Sequence, residues 1–334
     1  MASLTNPDYT VYIVSGTTKY NVTPALVAVD RSETKKELAQ CVTLQLVNVQ
    51  VGNSNLSELI KARDRVYVYA NDGSRYDEVF RGFVWTGGGQ DSLTDQAFTL
   101  KCYDHLIYWQ ESEASEWFAS GMETEAVVRK ICGNWGVKLD YRYKSITHPK
   151  LPLRGYLADI ITADVLDPVK ARHGKDYVIT SAKDVMTVAA VGQNETIYHI
   201  LEGENVTSAS YEYTMNGMIT KVVILGTEDN EDREPVEGTR SKNTSKYGTL
   251  QKIVRRSGET TLAEAQEEAT NLLTENCNPK TSYMVKAPDI PWIRKGDKVY
   301  VNAGSIKRKY LIADDIDRTV DNTKKEMTLT LSEA

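Results

Sequence analysis

Ile60-Lys61-Ala62-Arg63-Asp64-Arg65-Val66-Tyr67-Val68 returns near the C-terminal end as Ile293-Arg294-Lys295-Gly296-Asp297-Lys298-Val299-Tyr300-Val301. Five of the nine positions are identical, and Lys61/Arg294 and Arg65/Lys298 keep their charge. The residues downstream match in order as well. A turn at Asn71-Asp72-Gly73, an aromatic strand ending Val79 to Val84 and a closing strand Ala97 to Cys102 follow the first copy. A turn at Asn302-Ala303-Gly304, the strand Tyr310 to Ala313 and the closing strand Glu326 to Leu331 follow the second. A supersecondary unit used twice implies more pseudo-symmetry than the chain count. Within each copy, Asp64 and Asp297 sit where a strand begins, so each carboxylate can accept backbone N–H bonds and fix the turn. Val66, Val68, Val299 and Val301 supply the alternation that follows. Arg63 stands where Gly296 stands. If that turn needs a positive φ, arginine costs about 1 kcal/mol relative to glycine and the two turns differ in detail.

The chain has 334 residues, which is long for one core and predicts two to four domains. A hydrophobic content of 41% with 26% charged residues is that of a globular protein. The net charge of −6 argues against a nucleic-acid surface, which needs a basic excess. No apolar run is long enough for a membrane span, and Met1 to Asp8 lacks the basic start and apolar core of a secretion signal. Cys41, Cys102, Cys132 and Cys277 are far apart and in apolar contexts, so they read as buried free thiols. Nineteen tyrosines against four phenylalanines suit half-buried sheet faces and interfaces, where the ring is covered and the hydroxyl stays wet.

Residues 1–108 read as mostly β, with alternation at Val11 to Val14 and Cys41 to Leu46. Residues 109–205 read as a mixed α+β domain. It holds a helix from Glu125 with Thr124 as cap and Gly136 as stop, a second helix from Leu157 to His173 that Pro168 should kink or end early, and a hairpin around residues 182–184. Residues 206–334 read as the second β unit, built from 206–226 and 280–334. It is interrupted by a loop over 226–248, acidic and then basic, and by a helix over 262–276 capped by Thr260 or Thr261. The fold class is therefore α+β, mainly β.

Residues that would carry chemistry are scarce. His105, His148, His173 and His199 have no metal-binding spacing. Asp104 and His105 are neighbours at a strand end, so their side chains diverge and His105 reads as structural. Gly87-Gly88-Gly89 lacks the helix and lysine of a phosphate cradle and reads as a flexible hairpin tip. The acidic run over 228–237 lacks the spacing of a calcium loop. The basic stretch after it, with its interleaved Ser, Asn and Thr, reads as an exposed loop. No catalytic residue, metal ligand or cofactor is expected.

The frame Ile293-x-x-Gly296-Asp297-x-Val299-x-Val301, then Tyr310-Leu311-Ile312 and Met327 to Leu331, resembles the ending of bacteriophage tail hub proteins. So does Lys246 to Gln251 ahead of the helix over 262–276. Val79 to Val84, Leu100 to Asp104 and Ile131 to Gly136 resemble the same family, the XkdQ-like hubs of contractile tails related to late control protein D. The resemblance implies two similar antiparallel tube-type β-barrel domains flanking the mixed domain. It also implies a homotrimeric ring in the baseplate of a virion or tail-like particle assembled in the bacterial cytoplasm. Three subunits would present six near-equivalent units to a tail tube protein and a three-fold face to a central spike, with other baseplate proteins around them and no membrane. A tail-associated cell-wall or polysaccharide hydrolase and a carbohydrate-binding adhesin are the rival readings. The first would need a carboxylate pair or metal cluster in a cleft, and the second a cluster of aromatic platforms.

Overall fold

The computed structural model describes residues 7–89, 97–226, 234–256 and 260–333. It is mainly β. The first strands are β1 (Asp8–Ser15), β2 (Thr18–Asn21), β3 (Leu26–Glu33), β4 (Cys41–Val47), the short β5 (Gln50–Val51) and β6 (Ser54–Asn55), β7 (Arg65–Asn71), β8 (Tyr76–Gly89) and β9 (Ala97–Tyr103). The middle of the chain adds β10 (Glu113–Phe118), β11 (Lys138–Tyr141), β12 (Leu151–Tyr156), β13 (Tyr177–Ala182) and β14 (Val185–Ala190). Then come β15 (Tyr198–Leu201), β16 (Ser208–Thr214), β17 (Lys221–Leu225), β18 (Val236–Ser241), β19 (Gln251–Arg255), β20 (Lys280–Pro288), β21 (Lys298–Ala303), β22 (Ile306–Asp321) and β23 (Lys325–Glu333).

One sheet dominates. Its order is β16-β20-β23-β22-β3-β4-β9-β8-β7-β1-β2, with β15 lying beside β21. All of its pairs are antiparallel except β15 with β21. Two cores form on it. Val11, Val29, Leu44, Val66, Val68 and Leu100 belong to one, and Val285, Val299, Val301, Leu311, Leu329 and Leu331 to the other. In each, alternate strand residues point inward, as a half-buried sheet requires. The two β units are thus continuous through the pair β3 and β22.

Between them lies a third core around the helix Thr124–Asn134, with Val127, Val128, Ile131 and Cys132 buried. The residue at the cap is Glu123, not Thr124. Thr124 is the first helical residue, and its hydroxyl bonds the Ile146 carbonyl oxygen and lies 2.9 Å from His148 Nε2. Pro168 neither ends nor sharply breaks the following helix. The turns Ile160–Leu166 widen to π geometry and the chain continues as α-helix over Asp167–His173, so the missing proline N–H falls in a first turn, where it needs no partner.

Two other expectations are corrected. Gly87, Gly88 and Gly89 lie in β8, paired with Leu100, Thr99 and Phe98, and are not a hairpin tip. The stretch after residue 234 is exposed but is not a loop. β17 leaves the large sheet and pairs with β18 and β19 on its two sides. Val222 and Ile224 are fully buried, and the helix Leu262–Asn276 covers them with Ala265, Ala269 and Leu273. A strand so apolar needs a core of its own, while the side chains of β18 and β19 on its two edges stay mostly exposed. Thr261 caps that helix in a capping box with Glu264, while Leu262 stays exposed. Most of the acidic run lies outside the described residues.

Candidate functional site

The two copies of the nonapeptide make the same turn. The Lys61 N–H donates to Asp64 Oδ2 at 2.7 Å, and the Arg294 N–H donates to Asp297 Oδ2 at 2.8 Å. The Asp64 N–H bonds the Lys61 carbonyl, as the Asp297 N–H bonds that of Arg294. The Arg63 N–H reaches the Val84 carbonyl at 2.7 Å and the Gly296 N–H reaches that of Ala313 at 2.7 Å. The return bonds, Val84 N–H to Asp64 and Ala313 N–H to Asp297, are both 2.9 Å. Both turns need the left-handed region, with φ of 71° at Arg63 and 84° at Gly296. The anticipated difference in detail is therefore absent, and Arg63 bears the strain. Val66, Val68, Val299 and Val301 are all fully buried.

The surroundings of the turns differ. Arg63 is exposed, whereas Gly296 packs beneath β13, where an added Cβ would meet the Val178 side chain at 2.7 Å. Burial pushes Asp297 up to about 6, against its bond from the Arg294 N–H. An acid held neutral in the fold favours folding below its ordinary value, and that advantage is lost as pH rises from about 4 to 6. Asp297→Asn keeps the acceptor and removes the titration. The variant should gain on the wild type across that window by about 2–3 kcal/mol at most. Urea unfolding at pH 4, 5, 6 and 7 checks this, and parallel curves for the two proteins would refute it.

Where β3 meets β22, the sheet buries charge. Arg31 and Arg318 stand directly opposite each other at 1% and 2% exposure. Arg318 Nε donates to Asp289 Oδ1 at 2.9 Å, and its Nη2 bonds the carbonyls of Ile290 and Ile293. Tyr9 donates its hydroxyl to the other Asp289 oxygen. Arg31 Nη2 reaches the Pro291 carbonyl at 3.0 Å. Burial, then the facing Arg318, pulls Arg31 down to about 10. Arg294 Nε bonds both oxygens of Glu33 at 2.8 Å. Burial would raise Glu33, but Arg294, Arg318 and Arg31 together hold it below the usual carboxylate range. Lys295 is buried against the carbonyls of Thr34, Glu37 and Leu38. The bonds of Tyr9, Arg31, Glu33 and the 34–38 turn join the N-terminal β unit to the segment between β20 and β21, and Arg318 braces that segment from β22, so the cluster fixes how the two units meet. Sequence reading passed over Arg31, Glu33 and Arg318. The available signal was a charge on the inward phase of an apolar alternation, as in Val29-Arg31-Glu33 and Ile316-Arg318-Val320.

Asp104 and His105 form no dyad. Asp104 accepts from the Gln40 and Leu106 N–H groups, and burial raises it to about 6. His105 Nδ1 instead lies 3.0 Å from Ser181 Oγ, beside a cleft of about 440 Å³ lined by Arg65, Phe83, Tyr108, Trp135 and Asp184. Among the described residues no three of His, Cys, Asp and Glu gather as a metal set, and no helix is long and apolar enough to cross a membrane.

The family model described as YQBQ-like matches residues 32–332. The chain belongs to the YQBQ-like family. A curated relative, the phage-like element PBSX protein XkdQ of Bacillus subtilis, is 24% identical, with 89% of this chain and 93% of that protein covered. Among solved structures, the 43 kDa tail protein of prophage MuSo2 from Shewanella oneidensis shares the fold with a TM-score of 0.72, at 11% identity, over 98% of both chains. The E. coli c3393 protein shares it with a TM-score of 0.58, at 9% identity, over 93% of this chain and 74% of that one. It is described as a component of the type VI secretion system with structural similarity to the T4 tail proteins gp27 and gp5. The match takes in both copies of the nonapeptide.

Proposed function

We propose that this protein is the hub of a contractile-tail baseplate, a homotrimeric ring that adapts a six-fold tail tube to a three-fold spike. The observation that carries the reading is the common hydrogen-bond pattern at Asp64 and Asp297, set in two β units of one sheet. Two tube-type β domains, 1–108 and 206–334 with β15 joining the second, flank a mixed domain, so three chains supply six near-equivalent units. The phage and prophage tail proteins among its relatives and fold neighbours support a structural tail role. The likeness of c3393 to T4 tail proteins supports the same tail role. The chain works by shape and symmetry, not by turnover.

Its partners are two further copies of itself, the tube protein, the spike and other baseplate proteins, in the particle. Mass photometry of the purified chain, alone and with its spike, is expected to show a species of three chains. Class averages viewed down the axis should show six lobes. Monomers under both conditions would refute the reading.

A further inference from the structure

The two β units correspond strand by strand. Aligning Val299 with Val66 sets Leu311 on Gly82 and Ala313 on Val84, by their register with β21 and β7. Both long strands then bulge at the same place, between Val84 and Thr86 and between Ala313 and Asp315. Beyond the bulge, Gly87, Gly88 and Gly89 pair with Leu100, Thr99 and Phe98, and Ile316, Asp317 and Arg318 pair with Leu329, Thr328 and Met327. The sheet runs β3-β4-β9-β8-β7-β1 in one unit and β16-β20-β23-β22-β21-β15 in the other. Only the last strands differ in sense, since β1 is antiparallel to β7 and β15 parallel to β21. Through β4 and β20, Arg31 corresponds to Tyr211 and Glu33 to Tyr213.

The correspondence has one gap. The outer flank of β22 is occupied by β3, with Glu33, Ser32 and Arg31 opposite Ile316, Asp317 and Arg318. Among the described residues, the equivalent flank of β8 at Gly87–Gly89 bears no strand, and neither does the outer edge of β16. We infer that β16 of one copy pairs antiparallel with the Gly87–Gly89 segment of β8 in the next copy, repeating between chains the junction that β3 and β22 make within one. The register follows: Tyr213 opposite Gly87, Glu212 opposite Gly88, and Tyr211 opposite Gly89.

The chemistry suits that register. Tyr211 and Tyr213 are 54% and 72% exposed, although they occupy the strand phase that is buried at Arg31 and Glu33. Glycine leaves a strand without side-chain packing, and an aromatic ring on the facing strand covers it. Arg294, which bonds Glu33 within the chain, corresponds to exposed Lys61, so the second copy's Lys61 comes over the Tyr213 ring as a cation–π contact. Pairing also covers two open sheet edges that would otherwise invite disordered association. The contact is head to tail, as a closed ring needs.

This inference rests on the ring reading, and cysteine cross-linking separates the two. Gly88 has open space around its Cβ, so Gly88→Cys with Glu212→Cys leaves the fold intact in the full-length chain. Oxidation is expected to give a covalent ladder ending at three chains. Ser32→Cys with Asp317→Cys, the equivalent pair inside one chain, should close without a mass increase. Three-chain particles that never form the 88–212 bond, while the 32–317 bond closes, would overturn the pairing and leave the ring. Monomers throughout would overturn both. Tyr211→Glu with Tyr213→Glu should abolish the three-chain species at an unchanged unfolding midpoint; a persisting trimer would overturn the pairing.

Discussion

Asp289→Ala is expected to cost about 3–5 kcal/mol of folding free energy, because it strands a buried guanidinium. The Asp289 carboxylate is fully buried, accepts from Arg318 Nε, and also takes the Tyr9 hydroxyl. Removing it leaves two facing arginines in the sheet interior with only Glu33, already bound to Arg294, as a nearby carboxylate. Arg31 Nε and Nη1 and Arg318 Nη1 already lack a hydrogen-bond partner among the described residues, so the site has no spare acceptor to offer. Tyr9→Phe, which removes one donor and leaves the ion pair, should cost only about 1 kcal/mol. Replacing Arg31, Arg318 and Asp289 together by Met, Met and Leu should restore most of the loss, since an apolar core of similar volume has no charge to desolvate. Urea unfolding of the three variants decides the matter. An Asp289→Ala midpoint within error of the wild type would show that the cluster does not hold the units together.

The second large effect is an exchange between the two turns. Gly296→Arg, which gives the second turn the residue that the first carries, should destabilise by about 2–4 kcal/mol. Part of that is the positive φ that both turns share, and the larger part is the Val178 side chain, against which even a Cβ would sit at 2.7–2.8 Å. Arg63→Gly relieves the same backbone conformation on an open surface and should change stability by less than about 1 kcal/mol, in the favourable direction. Thermal unfolding of both variants tests this. Equal effects at the two sites would mean that packing under β13 does not distinguish them.

Much of the local structure was legible in the chain. The repeated turn and its alternating valines, the hairpin of β13 and β14, and the helix Leu262–Asn276 each announce themselves within about fifteen residues, because capping and alternation act over one or two turns of backbone. Readings failed where the deciding partner was remote. Gly87-Gly88-Gly89 looks like a loop until Leu100, Thr99 and Phe98 are seen beside it. The polar stretch around Arg240 and Lys252 is solvated as it looks, but it reads as a loop until β17 supplies its strand partner. The divergence of Asp104 and His105, by contrast, was legible: backbone N–H groups claim one and Ser181 the other.

The sequence by itself determined a mainly β chain that uses one turn-and-strand device twice, because a carboxylate three residues from its donor and a two-residue alternation are local and survive in any context. Only the tertiary structure decided that the two devices share one sheet, that Arg31 meets Arg318, and that among the described residues β16 and the glycines of β8 each have one flank without a strand. The physical reason is that strand pairing is a contract between segments nearly 300 residues apart. Register, buried charge and open edges follow from which backbone lies alongside, and no local pattern specifies that.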